Sequence, residues 1–265
     1  MHIDANSAYL SWTAVKMLEE GYENDIREIP AAVAGDPKNR HGIILAKSIP
    51  AKKRGVRTGE SLFEARRKCP ELQVFPHDFP LYMSFSDEMY RIISEYSPVI
   101  QRYSVDECFM DYTGSERKFG DPVSCAHRIR RRIREELGFT VNIGVAENRL
   151  LAKMASDFKK PDRVHSLFSH EIADKMWPLP VEDLFMVGRA TARRLHRINI
   201  NTIGDLAQAD PGLLQRLFKS HGILIRQYAN GIDPTPVVPN GEIPQKGLGN
   251  STTVDHDVST AEEAH

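Results

Sequence analysis

Near residue 166 the chain changes character, and this constrains the fold more than any other feature of the sequence. Before it, apolar stretches with strand spacing alternate with helical ones; after it, the strand signal fades and short helices broken by glycine and proline take over. A layered part with a sheet, followed by a small all-helical part, is what such a sequence permits. In the first part the order reads β, α, ββ, α, β, α, which is α+β and not doubly wound. "MHID" reads as the tail of a short strand, and "NSAYLSWTAVKMLEEG" as a helix capped by Asn6 or Ser7 and closed at Gly21. "AAVAG" and "GIILA" are two strands, and "IPAKKRGVRTGESLFEARRKC" is a basic turn with a short helix. A helix over 80–97, strands "VIQRYSVD" and "ECFMDYT", a helix over about 122–137, the strand "TVNIGVA" and a helix over about 147–158 complete this part. Beyond it, "PVEDLFMVGRATARRLHRINI" and "TIGDLAQA" have the form helix, glycine turn, helix, and "PTPVVPNGEIPQKG" reads as a linker.

The bounds agree. At 265 residues the chain accommodates one large domain or two to three smaller ones, and 41% hydrophobic with 27% charged residues excludes global disorder. Apolar runs such as "GIILA" are too short to span a bilayer, and the N-terminus lacks the features of a signal peptide, so a cytoplasmic protein with no membrane partner is expected. Cys69, Cys108 and Cys125, odd in number and without a CxxC pair, argue against a disulfide framework and a structural zinc site. The net charge of −1 is unevenly spread: residues 47–68 hold eight Lys or Arg against two Glu, and residues 185–235 hold seven against three Asp. Such surfaces suit a phosphate backbone or are solvated helix faces.

"YSVDECFMD", residues 103–111, places two adjacent acids, Asp106 and Glu107, in a strand-like segment. Neighbouring side chains on a regular strand point to opposite faces, so either one acid is solvated or the backbone bends near Ser104–Glu107 and turns both toward Asp4 at the end of the first strand. Three such acids suit hard divalent cations, and a pair of these ions can clamp a phosphoryl transfer. Solvated or capping acids are the plain alternative. In "VGRATARRL" Gly188 allows close backbone approach, the amides that follow can meet a phosphate, and Arg189, Arg193 and Arg194 come next; an αα-hairpin with no ligand reads equally well. In "FKKPD" a lysine either meets a triphosphate or complements a helix C-terminus.

"HIDANSAYLSW", "SVDECFMD", "NIGVAENRLLAKMASDFKKP", the "VGRATARRL" hairpin and "LGNSTT" together resemble, in order and separation, segments of the Y-family translesion DNA polymerases, and within them the bacterial DinB (polymerase IV-like) branch. The resemblance covers nearly the whole chain. It implies a mixed antiparallel palm over 1–7 and 78–167 with helices on one face, small α/β fingers over 8–77, and an all-α helix-hairpin-helix thumb over 168–234. A linker over 235–246 and the truncated start of a little-finger domain over 247–265 would follow. It implies Asp4, Asp106 and Glu107 as catalytic acids holding two Mg²⁺ ions with the Ala5 carbonyl, and Tyr9 as a steric gate against a ribose 2′-OH. Lys160, Lys52 and the helix amides near Ser7 and Ala8 would meet the incoming dNTP, and Gly188, Arg189, Thr191 and Arg193 would meet primer–template DNA. A sliding clamp would be a partner of a longer protein only, and the chain would be a monomer. The sequence departs from the family's pattern at Ile49 and Lys52, where tyrosine and arginine are usual, which shifts triphosphate contact toward Lys52, Lys160 and Lys47, and at Met186, where a first hairpin glycine is usual. A metal-dependent helix-hairpin-helix nuclease and a non-catalytic DNA-binding protein are the rival readings.

Overall fold

The computed structural model describes residues 1–35 and 42–240, with residues 242, 247, 249, 258–260, 262 and 263 beyond them. Most of the expected start of a further domain, and five of the twelve residues of the expected linker, therefore lie outside the described residues. Along the chain run β1 (His2–Ala5), α1 (Ala8–Glu19), β2 (Ala31–Ala34), β3 (Ile44–Lys47), α2 (Ile49–Lys53), α3 (Leu62–Lys68), β4 (Gln73–Pro76) and α4 (Phe79–Ser94). Then come β5 (Ile100–Arg102), β6 (Glu107–Met110), α5 (Glu116–Phe119), α6 (Pro122–Leu137), β7 (Val141–Val145), α7 (Arg149–Asp157) and β8 (Val164–Ser166). The helices α8 (Arg189–His196), α9 (Ile203–Gln208), α10 (Pro211–Phe218) and α11 (Ser220–Ala229) follow. Two compact units result, one of Met1–Asn6 with Phe85–Asn240 and one that takes in Ser7–Ser84.

The first unit is built on a five-stranded sheet in the order β5-β6-β1-β7-β8, antiparallel except for the parallel pair β7–β8. The short β1 is central, with Ile3 paired to Cys108 on one side and Ile143 on the other. The mixed sheet and its helices match the α+β class read from the sequence. Strand β7 is buried along its whole length, and α7 lies against it so closely that a Cβ at Gly144 would fall 1.8 Å from the Ala152 carbonyl oxygen. Asp121 caps α6 through the Val123 and Ser124 amides, Pro122 opens its first turn, and Gly138 closes it with φ of 73°. Helices α7–α11 share a second core that includes Leu151, Leu195, Ile203, Leu206, Leu214 and Ile225.

The second unit carries a three-stranded sheet in the order β3-β2-β4, antiparallel on one side of β2 and parallel on the other. Its small core includes Ala32, Ile44, Ala51, Val56, Leu62, Ala65 and Leu72. Ser48 caps α2 and also receives the Ala31 amide at 3.0 Å, which fixes the β3–α2 corner.

Four local readings change. Ser7 does precede α1 but has φ of 48° and makes no capping bond; Asn6 spends its side chain elsewhere, as described below. The helix placed over 80–97 ends at Ser94, where a turn at Glu95 and Tyr96 follows. The first helix of the expected hairpin, "PVEDLFMVG", is only a 3₁₀ turn over Val181–Asp183, because Leu184 leaves the helical region with ψ of 130° and Met186 takes φ of 72°. Residues 235–240 are not a free linker: the Val238 amide donates to Gln101 Oε1 at 3.2 Å and the Arg102 amide to Asn240 Oδ1 at 2.8 Å. All three cysteines are buried and unpaired. Among the described residues no helix is long and apolar enough to cross a membrane.

Candidate active site

Strands β5 and β6 form a hairpin whose last paired residues are Arg102 and Cys108. The Tyr103 and Ser104 amides both donate to the Glu107 carbonyl, at 2.9 and 3.2 Å, closing a turn over residues 103–106. The adjacent acids thereby fall in different settings. Glu107 is the first residue of β6 and lies directly opposite Asp4 in the ladder, so the two carboxylates share a face. Asp106 is in the turn, where its Oδ1 accepts from Ser104 Oγ at 2.5 Å and its carbonyl accepts the Ala5 amide at 2.9 Å.

Asp4 and Glu107 are each held by a partner from a distant part of the chain. Asp4 Oδ2 meets Lys160 Nζ at 2.8 Å, and the same ammonium meets Asp157 Oδ1 at 2.8 Å. Glu107 Oε2 meets Lys153 Nζ at 2.5 Å and His2 Nε2 at 3.0 Å. Burial pushes the Asp4 carboxyl up to about 6 against the opposing Lys160 ammonium, and the Glu107 charge adds to the rise. Burial would also raise Glu107, but its hydrogen bonds to His2 and Lys153 outweigh it and hold that carboxyl down at about 2. Burial lowers His2 to about 4.

The donor set is all carboxylate and carbonyl oxygen, the chemistry of a hard divalent cation, and the under-compensated Asp4 is the group that gains most from added positive charge. The residues fit such an ion by type. Among the described residues, however, no three His, Cys, Asp or Glu side chains are gathered closely enough to enclose a metal. Asp106 is hydrogen-bonded by Ser104, and each of the other two carboxylates is drawn toward a lysine. Sequence reasoning missed His2 and Lys153. His2 sits in the strand with nothing to mark it, and Lys153 pairs across 46 residues.

The remaining candidates lie elsewhere in the chain. On α1, Tyr9 is half-buried and stacks on Tyr82, with ring centroids 4.4 Å apart and planes at 15°; Phe79 lies edge-on at 6.1 Å. Ser7 is exposed and Ala8 is buried at the start of that helix. Lys52 is exposed on α2, and Lys47 is held below the ordinary lysine range by partial burial and by the nearby Lys52 charge. In the helical part, Gly188 has φ of −81° and open space where a Cβ would point, while Met186 takes φ of 72° and is half exposed. Arg189 and Arg193 are exposed on α8, and Thr191 is half-buried. Arg194 differs from the reading given it: its guanidinium lies over the Phe218 ring at 4.5 Å and donates to the Leu217 carbonyl, so it ties α8 to α10.

Residues 3–157 match the impB/mucB/samB family. The chain is 50% identical over its full length to the DNA polymerase IV of Clostridium acetobutylicum and 42% identical over 262 residues to that of Clostridium kluyveri. It spans 66% and 64% of the length of those two proteins. Among solved structures, DinB from Sulfolobus solfataricus superposes with a TM-score of 0.78 at 23% identity, over 89% of this chain and 68% of that one. A Y-family DNA polymerase chimera superposes with a TM-score of 0.80 at 23% identity, over 91% of this chain and 70% of the chimera.

Proposed function

The chain belongs to the impB/mucB/samB family of Y-family DNA polymerases, and from that premise we propose that it is the catalytic part of a template-directed translesion DNA polymerase. The reaction is in-line attack of a primer 3′-OH on the α-phosphate of a dNTP, with pyrophosphate leaving. The observation that carries the reading is the register of β1 and β6, which opposes Asp4 and Glu107 on one face with Asp106 beside them in the hairpin and Lys160 at Asp4. Asp4, Asp106, Glu107 and the Ala5 carbonyl are the groups that would hold Mg²⁺, two ions in all. Bound there, the metal lowers the pKa of the 3′-OH and neutralises triphosphate charge. Lys160 releases a carboxylate and takes a phosphate oxygen; Lys52, Lys47 and the amides of Ser7 and Ala8 share the triphosphate. The Tyr9 ring, fixed by Tyr82, closes the space that a 2′-OH needs.

In this reading the palm is 1–7 and 78–167, the fingers 8–77 and the thumb 168–234. The open space at Gly188 and the exposed Arg189 and Arg193, with Thr191, suit the phosphate backbone of primer–template DNA. The protein works in the cytoplasm as a monomer, and a sliding clamp is a partner of a protein that extends beyond this chain. A nuclease or a non-catalytic binder is not favoured, since the relatives are named as polymerases.

Primer extension on a gel tests this. Extension requires Mg²⁺ and the templated dNTP, and Asp106→Ala or Glu107→Ala abolishes it with the circular dichroism unchanged. Wild-type extension by either variant removes the metal assignment, and strand cleavage without dNTP moves the reading to a nuclease.

A further inference from the structure

We infer that Asn142 and Asn6 form a buried clamp whose task is to position Lys160. Asn142 is fully buried on β7, opposite Asp4 in the β1–β7 ladder, between the apolar Val141 and Ile143. An amide there is costly unless every donor and acceptor is matched. It is matched. Asn142 Nδ2 donates to the Ser156 carbonyl at 3.0 Å and the Lys159 carbonyl at 2.8 Å, and its Oδ1 accepts from Asn6 Nδ2 and from the Arg163 amide, both at 3.2 Å. Asn6 is 7% exposed, and its Oδ1 accepts from Thr140 Oγ1 at 3.0 Å and from the Asp162 amide at 2.9 Å.

The two side chains therefore grip the last turn of α7 and the segment that leads to β8 at four backbone groups, the carbonyls of 156 and 159 and the amides of 162 and 163. Lys160 lies inside that span, and its ammonium reaches Asp4. A flexible four-carbon side chain is aimed only as well as its backbone is fixed. Here that backbone is fixed by Asn6, just beyond β1, and by Asn142 on β7, which pairs with Asp4 across the ladder. A plain core clip between α7 and β8 would use the same bonds, but its loss would be felt regardless of what residue 160 is. A positioning clamp loses its meaning when the lysine is gone.

This inference rests on the proposed phosphate role of Lys160, and a double-mutant cycle separates the two. The dissociation constant of the templated dNTP is measured in the presence of Mg²⁺ on a dideoxy-terminated primer–template, so that nothing is transferred. Asn142→Ala raises that constant roughly tenfold or more in the wild-type background, the scale of a misplaced contact. In a Lys160→Ala background it changes the constant by less than about twofold, the scale of independent sites. In chelator, hydrogen exchange of the Asp162 and Arg163 amides speeds up with Asn142→Ala, which reads the clamp without metal or nucleotide. Equal factors in both backgrounds, or an unchanged constant, overturn the inference and leave the phosphate role standing. A Lys160→Ala protein that binds dNTP like the wild type overturns that role and the inference with it. Asn6→Ala, at the edge of the network, runs the same cycle with the same criteria if Asn142→Ala does not fold.

Discussion

Asp4 and Glu107 face each other across two strands yet sit in opposite electrostatic conditions. In the metal-free protein the native Asp4 carboxyl, at about 6 against an ordinary 3.8, binds its proton more tightly than the unfolded chain does. Its contribution to stability is therefore favourable at low pH and is lost as pH rises through 6. Glu107, held at about 2 against 4.5, works the other way: its contribution is present above 4.5 and disappears as pH falls toward 2. At pH 8 in chelator, Asp4→Asn should stabilise the protein by about 2–3 kcal/mol and Glu107→Gln should destabilise it by a similar amount, with the Asp4→Asn gain vanishing near pH 4. Urea titrations at the two pH values check this, and an Asp4→Asn gain that is independent of pH contradicts it. Tyr9→Ala should admit ribonucleotides in single-nucleotide insertion, and should also cost roughly 2–4 kcal/mol because the ring stacks on Tyr82. Unchanged ribonucleotide discrimination counts against the gate whatever the stability loss. At this scale the sequence offered Asp4, Asp106, Glu107, Tyr9 and Lys160 as candidates, of which the structure brings Asp4, Glu107 and Lys160 together. His2 and Lys153 were not, because what marks them is a partner in another element.

Among the elements, six of the eight strands and most helices follow from apolar spacing, whereas β4 and β8 were not read from the sequence; the departures below have local causes. The expected cap of α1 is absent because the Asn6 side chain is engaged by Asn142 on β7, by Thr140 and by the Asp162 amide. The first hairpin helix shrinks to one turn because Leu184 leaves the helical region and Met186 takes a positive φ. Gly144, unremarkable in "NIGVA", is where α7 presses on β7: Gly144→Ala puts a methyl 1.8 Å from a backbone oxygen that cannot move without shifting the helix. That substitution should cost about 3 kcal/mol or more, a fall of roughly 6–12 °C in melting temperature, measured by calorimetry. A fall within a degree or two would mean that α7 can retreat freely.

Over the whole molecule the charge of −1 conceals separate basic surfaces. Exposed Arg189 and Arg193 should each carry close to one released counterion on binding primer–template DNA, so the double alanine variant should flatten the slope of log K against log salt by about 2, while Arg194→Ala should leave the slope nearly unchanged and lower stability. Fluorescence anisotropy over a salt series measures both, and an equal change in slope for Arg194→Ala would overturn the division. The sequence by itself determined the mixed α+β part and its helical continuation, through local periodicity, and the chemical types gathered at the acids, through ordered motifs. It also carried the family. Only the tertiary structure decided which carboxylate faces which, that Asp106 stays with Ser104, that lysines 153 and 160 answer Glu107 and Asp4, and that two asparagines hold the lysine loop. The physical reason is range. Periodicity, caps and turns act over a few residues, whereas the Asp4–Lys160 pair closes across 156 residues and exists only once the register of β1 against β6 and β7 is set.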